Sequence, residues 1–229
     1  KALEPYGKCI YNYGLLLELI PGDKTSRINQ NIGNSRYVHN NYLAERIKYY
    51  DEHKKTLSID QYKKEFLPKL KKEKEFLKRT DKFVYQNACQ NVETAYQNFF
   101  SGKSGFPNFA SSRKPNGNSF TTNYTNNNIE LKMIDGLPYL KLPKIGNVRF
   151  GKTLADLQPL GVSIKSATVT RTNSRYRVSL QMETVIDRPV FPAVIHADEV
   201  ISVDLGLKVF GMFGNAKETF TVPNPRWIK

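Results

Sequence analysis

The chain has 229 residues, 39% of them hydrophobic, which is enough for one large core or two small ones. No apolar run is long enough to span a membrane, and no secretory leader is visible. Thirty-five Lys and Arg against 21 Asp and Glu give a net charge of +14, an imbalance that points to a polyanionic partner. The excess is uneven. Between Ser101 and Pro189 there are 13 basic and 5 acidic residues, interleaved with Tyr, Phe, Asn and Thr that stack on bases and bond phosphates. Cys9 and Cys89 lie far apart and form neither a metal-spaced pair nor a disulfide framework, so a reducing cytoplasm is expected. His39, His53 and His196 are scattered, which argues against a His-based metal site. The chain opens on Lys1 rather than Met, and we expect a longer reading frame around it.

Residues 8–20 (KCIYNYGLLLELI) read as a strand stopped by Pro21-Gly22. From Lys24 to Tyr50, apolar residues at Ile28, Ile32, Val38, Tyr42, Leu43 and Ile47 follow helical spacing, with Gly33 as a point of interruption. Ser58-Ile-Asp-Gln61 is a capping box that opens a second helix, which Pro68 is expected to kink or end. The KKEKE run after it reads as a solvated face. A third helix runs from Asp81, a good N-cap, to Ser101 before Gly102. Val84, Ala88, Val92, Ala95, Tyr96 and Phe99 form its apolar stripe; Lys82, Gln86, Gln90, Glu93 and Gln97 form an amide-rich polar one. Such a stripe either meets solvent or reads base edges, Gln with adenine being a standard pair.

Beyond Gly105-Phe-Pro-Asn-Phe109 the pattern turns strand-like. Strands are predicted near 118–124, 128–133, 137–142, 147–151, 162–171 and 175–185. The last two form a hairpin around Asn173-Ser174. With the first strand they are expected to close a small barrel, into which the helices are inserted as a lobe. Residues 187–197 carry two prolines and read as a linker. Val200 to Gly214 and Glu218 to Val222 then read as three short antiparallel strands, with Asp204 on the first.

A lone carboxylate in the apolar run ISVDLGLKVFGMFGN needs a partner or an exposed position. In sugar-kinase, actin and chaperone ATPases, a first-strand Asp-x-Gly is followed by Thr or Ser and grips ATP phosphates. Here Leu207, Lys208 and Val209 follow Gly206, which disfavours that reading. In RuvC-type nucleases the Asp binds Mg²⁺ and no hydroxyl is required. The plain alternative is an Asp that caps its own turn or pairs with a Lys.

Several stretches, in order, resemble the TnpB family of transposon-encoded RNA-guided nucleases related to type V CRISPR effectors. They are Ser35–Ile47 (SRYVHNNYLAERI), Asp81–Phe100 (DKFVYQNACQNVETAYQNFF), Gly105–Phe109 (GFPNF), Ser119–Ile129 (SFTTNYTNNNI), Leu140–Phe150 (LKLPKIGNVRF), Lys165–Thr172 (KSATVTRT) and Val203–Lys208 (VDLGLK). The resemblance implies an α+β fold: a wedge β-barrel (residues 1–21 and 102–190), an inserted helical recognition lobe (22–101), and a linker with the first strands of a RuvC, ribonuclease-H-like, domain (191–229).

The resemblance further implies guide RNA and target DNA as partners and a site of action on prokaryotic DNA, away from membranes. Asp204 would be the catalytic and metal-binding first carboxylate for Mg²⁺, with a later Glu and Asp supplied from segments not in this sequence. A Zn²⁺ site belongs to a C-terminal part that is also absent; no Cys-x-x-Cys occurs here. Lys82, Gln86, Thr125 and Asn126 match positions that contact a short flanking DNA motif, although Thr125–Asn128 also reads as a plain turn. A further Tyr of some members falls on Ile59, and Val209 stands where Asp or Asn is common. Arg171, Arg175 and Arg177 are expected on nucleic-acid backbone. The alternatives are a nuclease-inactive nucleic-acid-binding repressor and a fragment of a split effector.

Overall fold

The computed structural model describes residues 8–20, 22, 24–114, 117–151, 163–173, 175–187, 200–206, 209–215 and 217–224. The protein mixes helices with several antiparallel sheets, in two compact units: Cys9–Ile186, and a small sheet within Asp187–Lys229. The linker expected at 187–197 lies outside the described residues except for Asp187.

In the first unit, strand β1 (Lys8–Leu19) precedes helix α1 (Thr25–His53). Gly33 does not interrupt α1, because Asn31, Ile32, Asn34 and Ser35 on either side of it are buried and hold the helix by packing. Ser58 caps the next segment, its hydroxyl accepting from the Gln61 N–H at 3.1 Å. The reciprocal half of the capping box is not made: the Gln61 amide turns to Glu65 instead. Pro68 neither ends nor caps the run. A short helix α2 (Ile59–Gln61) passes through one π turn (Tyr62–Phe66) into α3 (Leu67–Glu73), with Pro68 in the first turn of α3. The wider turn absorbs the missing proline N–H and the bulk of its ring. A 3₁₀ turn (Glu75–Arg79) leads to α4 (Lys82–Phe100).

Six further strands complete this unit: β2 (Ser119–Asn123), β3 (Glu130–Ile134), β4 (Leu137–Leu142), β5 (Gly146–Arg149), β6 (Ser163–Thr172) and β7 (Arg175–Asp187). They form a four-stranded sheet in the order β1-β7-β6-β2 and a three-stranded sheet β3-β4-β5. Asp135 and Gly136, both at positive φ, make the two-residue turn between β3 and β4, a conformation that Gly supplies without strain. The two sheets meet where Leu19 bridges Phe150 and the Ile20 N–H donates to Arg149 O at 2.9 Å.

No barrel closes among the described residues, contrary to the sequence expectation. β2 and β3 are consecutive but unpaired. The free edge of β2 is instead occupied by α4, whose Asn87 side chain donates to Thr121 O at 3.0 Å. A helix on the edge serves the same purpose as a closing strand, since it covers bare backbone groups.

Two hydrophobic clusters fill the unit. Alternating residues of β6 and β7 (Ala167, Val169, Tyr176, Val178, Leu180, Met182) pack with Leu140, Leu142, Val148 and Phe150. Ile28, Ile32 and Val84, from the starts of α1 and α4, join this sheet core. The second cluster is helical: Val38, Tyr42, Leu43, Leu57, Tyr62, Leu77, Tyr85, Ala88, Cys89, Val92 and Tyr96 are among its members.

In the second unit, β8 (Ser202–Leu205), β9 (Val209–Gly214) and β10 (Thr219–Pro223) form a meander in the order β10-β9-β8. These are the three short strands expected from the sequence.

Candidate nucleic-acid interface

The start of α4 is tied to β2 by side chains. The Asp81 carboxylate accepts from the Phe83 N–H (3.2 Å), which caps the helix, and from the Thr122 hydroxyl (2.8 Å). One turn later, the Asn87 side-chain amide donates to Phe83 O (2.9 Å), Thr121 O (3.0 Å) and Asn123 Oδ1 (3.1 Å). The Asn123 carbonyl accepts from the Asn128 side-chain amide at 3.0 Å, and Asn128 Oδ1 accepts from the Thr125 N–H at 2.7 Å. Between them, Asn126 and Asn127 both sit at positive φ, and the Asn128 N–H donates back to Thr125 O. The Thr125–Asn128 segment is therefore a tight turn, as its Asn content predicts.

Lys82 and Gln86 lie one turn apart on the exposed face of α4, and Asn126 is exposed on the turn while Thr125 is half-buried. Lys82 Nζ stands 5.0 Å from the Phe83 ring centroid. Among the described residues the side chains of Gln86 and Asn126 have no hydrogen-bond partner, so both are free to meet a ligand.

The three arginines differ. Arg171 is half-buried, and its guanidinium donates to Asn29 Oδ1 (3.1 Å) and Asn118 Oδ1 (3.3 Å), which ties the β6 end to α1. Arg175 is exposed and faces Glu18 at 4.0 Å. Arg177 is exposed, and its side chain makes no hydrogen bond or ion pair among the described residues.

Asp204 is exposed on β8, opposite Met212 of β9. An exposed edge strand resolves the problem of a lone charge in an apolar run: the carboxylate stays hydrated. It lines an open cleft of about 590 Å³ with Ser202, Val203, Met212, Phe213, Asn215 and Thr219 among its neighbours. No group of three or more Asp, Glu, His or Cys residues gathers among the described residues, around Asp204 or elsewhere. A two-metal centre needs several, and these residues do not supply it.

Other functional-looking residues prove structural. Glu93, placed on the polar stripe of α4 by its spacing, turns inward to Arg46 and the Tyr42 hydroxyl. The Arg46 guanidinium lies 4.1 Å from the Tyr96 ring centroid. Burial pushes the Cys89 thiol up to about 12, which keeps it protonated and inert. Asn87, Asn123 and Asn128 were missed from sequence. Their only signal was the amide-rich composition around them, which does not say which amides bond protein and which are free.

No protein-family model matches the chain. It is 27% identical over 135 residues to InsQ of Escherichia coli K12, a protein whose name describes an RNA-guided DNA endonuclease. That match takes in 59% of this chain and 30% of InsQ, so the chain spans less than a third of its curated relative. A Cas12f1 chain, from a cryo-EM complex with sgRNA and target DNA, overlays 94% of this chain with 57% of its own length at 16% identity. The TM-score of that overlay is 0.40, too low to define a shared fold. The InsQ match agrees with the resemblance of the ordered motifs to the TnpB family. No helix among the described residues is long and apolar enough to cross a membrane.

Proposed function

We propose that the chain is the recognition portion of an RNA-guided DNA endonuclease of a transposable element. The observation that carries this is the 135-residue match to InsQ. The basic surface holds guide RNA and target DNA, and base pairing with the guide reads the target. Lys82, Gln86, Thr125 and Asn126 read a short flanking duplex motif from one groove beside α4 and the Asn turn. The hydrogen bonds that link these two segments support that reading. Arg175 and Arg177 hold phosphates. The protein acts on DNA in a prokaryotic cytoplasm.

Asp204 is proposed as the first of the carboxylates that hold Mg²⁺ for phosphodiester hydrolysis. Its exposed, cleft-lining position is compatible with that role. The remaining ligands have to come from other segments of a longer protein. The second unit fits an incomplete domain: Val203, Leu205, Phe210, Met212 and Phe220 are all exposed on a sheet that has three strands among the described residues and needs further cover. In the protein with its downstream reading frame, Asp204→Ala is expected to abolish Mg²⁺-dependent cleavage while guide and target binding persist. Cleavage that survives the substitution would sink the catalytic assignment.

A second reading is a nuclease-inactive nucleic-acid-binding protein. It is favoured by the lack of a cluster of three or more Asp, Glu, His or Cys residues around Asp204 among the described residues. The same assay separates the two, because such a protein does not cut even with Asp204 intact.

A further inference from the structure

We propose that Asn87 is the positioning residue that sets the recognition helix against the reading turn. The inference rests on the assignment of Lys82, Gln86, Thr125 and Asn126 to flanking-motif readout. Those four residues come from two segments about forty positions apart in the chain. Readout of base edges requires both segments to hold one register, because a bidentate contact is lost with a displacement of about 1 Å.

The register is carried by an unbroken line of hydrogen bonds. It starts at Phe83 O in the first turn of α4 and passes through the Asn87 amide to Asn123 Oδ1. From the Asn123 backbone it continues through the Asn128 side chain to the Thr125 N–H. Gln86 immediately precedes Asn87, and Lys82 lies one turn earlier on α4, while Thr125 and Asn126 stand at the far end of the line. Asn87 is the junction. Its side-chain nitrogen has three acceptors within 3.1 Å, on the helix, on the strand edge and on the side chain that leads to the turn. Three acceptors around one nitrogen also fix which end of the amide points to β2. The Gln86 side chain by contrast bonds nothing among the described residues. The two neighbouring amides thus divide the work, one anchoring and one reading.

A residue that merely stabilised the helix on the sheet edge would affect folding but not discrimination between DNA sequences. The separation comes from two substitutions that add the same charge at the same place. Asn87→Asp puts a carboxylate against Thr121 O and Asn123 Oδ1, both acceptors, and breaks the line. Asn123→Asp keeps an acceptor for Asn87 and leaves the backbone carbonyl that receives Asn128. Any effect of added negative charge on DNA affinity is shared by both.

The test is fluorescence anisotropy of the 229-residue chain with short DNA duplexes of equal length that differ only in one block of sequence. The readout is the ratio of Kd between the weakest and tightest duplex. Asn87→Asp is expected to lower that ratio by about tenfold, the size of one lost base contact, while Asn123→Asp leaves it at the wild-type value. Equal ratios for the two variants would overturn the inference. If Asn87→Asp does not fold, as thermal melting will show, Asn123→Ala takes its place. It removes one leg of the junction and leaves Asn87 bonded to Thr121 O and Phe83 O, and unchanged discrimination by that variant would also overturn the inference. Gln86→Ala distinguishes the two levels of argument. If it erases discrimination and Asn87→Asp does not, the positioning role fails and the reading site stands. If the wild-type chain binds every duplex equally, the reading site itself fails and takes the positioning role with it.

Discussion

Glu93 and Gln86 occupy the same polar stripe in the sequence of α4, yet one is a structural partner and the other a free side chain. The difference lies on α1. Arg46 places its guanidinium beside Glu93, with side chains 10% and 21% exposed, and Tyr42 adds its hydroxyl to the carboxylate. Burial, then the Glu93 carboxylate beside it, pushes the Tyr42 phenol up, so this hydroxyl stays a donor at any physiological pH. Removing one partner of such a pair leaves an uncompensated charge. Glu93→Ala should therefore destabilise the chain by about 3 kcal/mol in urea unfolding. Adding Arg46→Met should return much of that loss, because the pair is then replaced rather than broken. A double variant no more stable than Glu93→Ala alone would show that the cost is lost packing. Periodicity placed Gln86, Gln90 and Gln97 correctly on the exposed face. It misplaced Glu93 because an ion pair across two helices leaves no trace in the spacing of one.

At the scale of elements, strands and helices were legible because their signals are local. Alternation marks β6 and β7, Asp135-Gly136 marks a hairpin turn, and Asp81 caps α4 where expected. Closure was not legible, because it depends on what competes for an edge. β2 carries the alternating pattern of a barrel strand, and the contact of the Asn87 side chain with Thr121 O reveals that a helix takes its outer edge. Of the kink or end expected at Pro68, the end does not occur, for a similar reason. Proline forbids one hydrogen bond, and a π turn upstream is one of several ways to do without it. Asp81 joins local and non-local roles, since its carboxylate caps α4 and also receives the Thr122 hydroxyl of β2. Asp81→Ala should lower stability by about 1–2 kcal/mol, the upper range for an N-cap. Hydrogen exchange should locate the loss in the first turn of α4 and in β2. A loss confined to the helix would show that the link to the strand contributes nothing.

For the whole molecule, the net charge of +14 would set how the proposed nucleic-acid partner is attracted, and the structure distinguishes which charges are free to take part. Each phosphate neutralised by a Lys or Arg releases counterions, so log K falls against log salt with a slope of about −0.9 per contact on duplex DNA. Sequence alone treats Arg171, Arg175 and Arg177 as equal candidates. In the structure they are unequal. Arg171 spends its guanidinium on Asn29 and Asn118, and Arg175 lies near Glu18. Arg177 stands exposed on β7 opposite Thr170 of β6, without an ion-pair partner among the described residues. Substitution to Gln removes the charge and keeps most of the side-chain volume. Arg177→Gln should reduce the salt slope by about 0.9 and weaken binding to every duplex alike, with the melting temperature unchanged. Arg171→Gln should lower the melting temperature, because two part-buried hydrogen bonds from the β6 end, one to Asn29 of α1 and one to Asn118 before β2, are lost, and should leave the slope nearly intact. Binding titrations across a salt series, paired with thermal melts of the same samples, measure both quantities. A reversed pattern, in which Arg171 controls the slope and Arg177 does not, would mean that the guanidinium leaves Asn29 and Asn118 when nucleic acid arrives. The phosphate-binding face would then lie at the α1 side of the sheet rather than along β7.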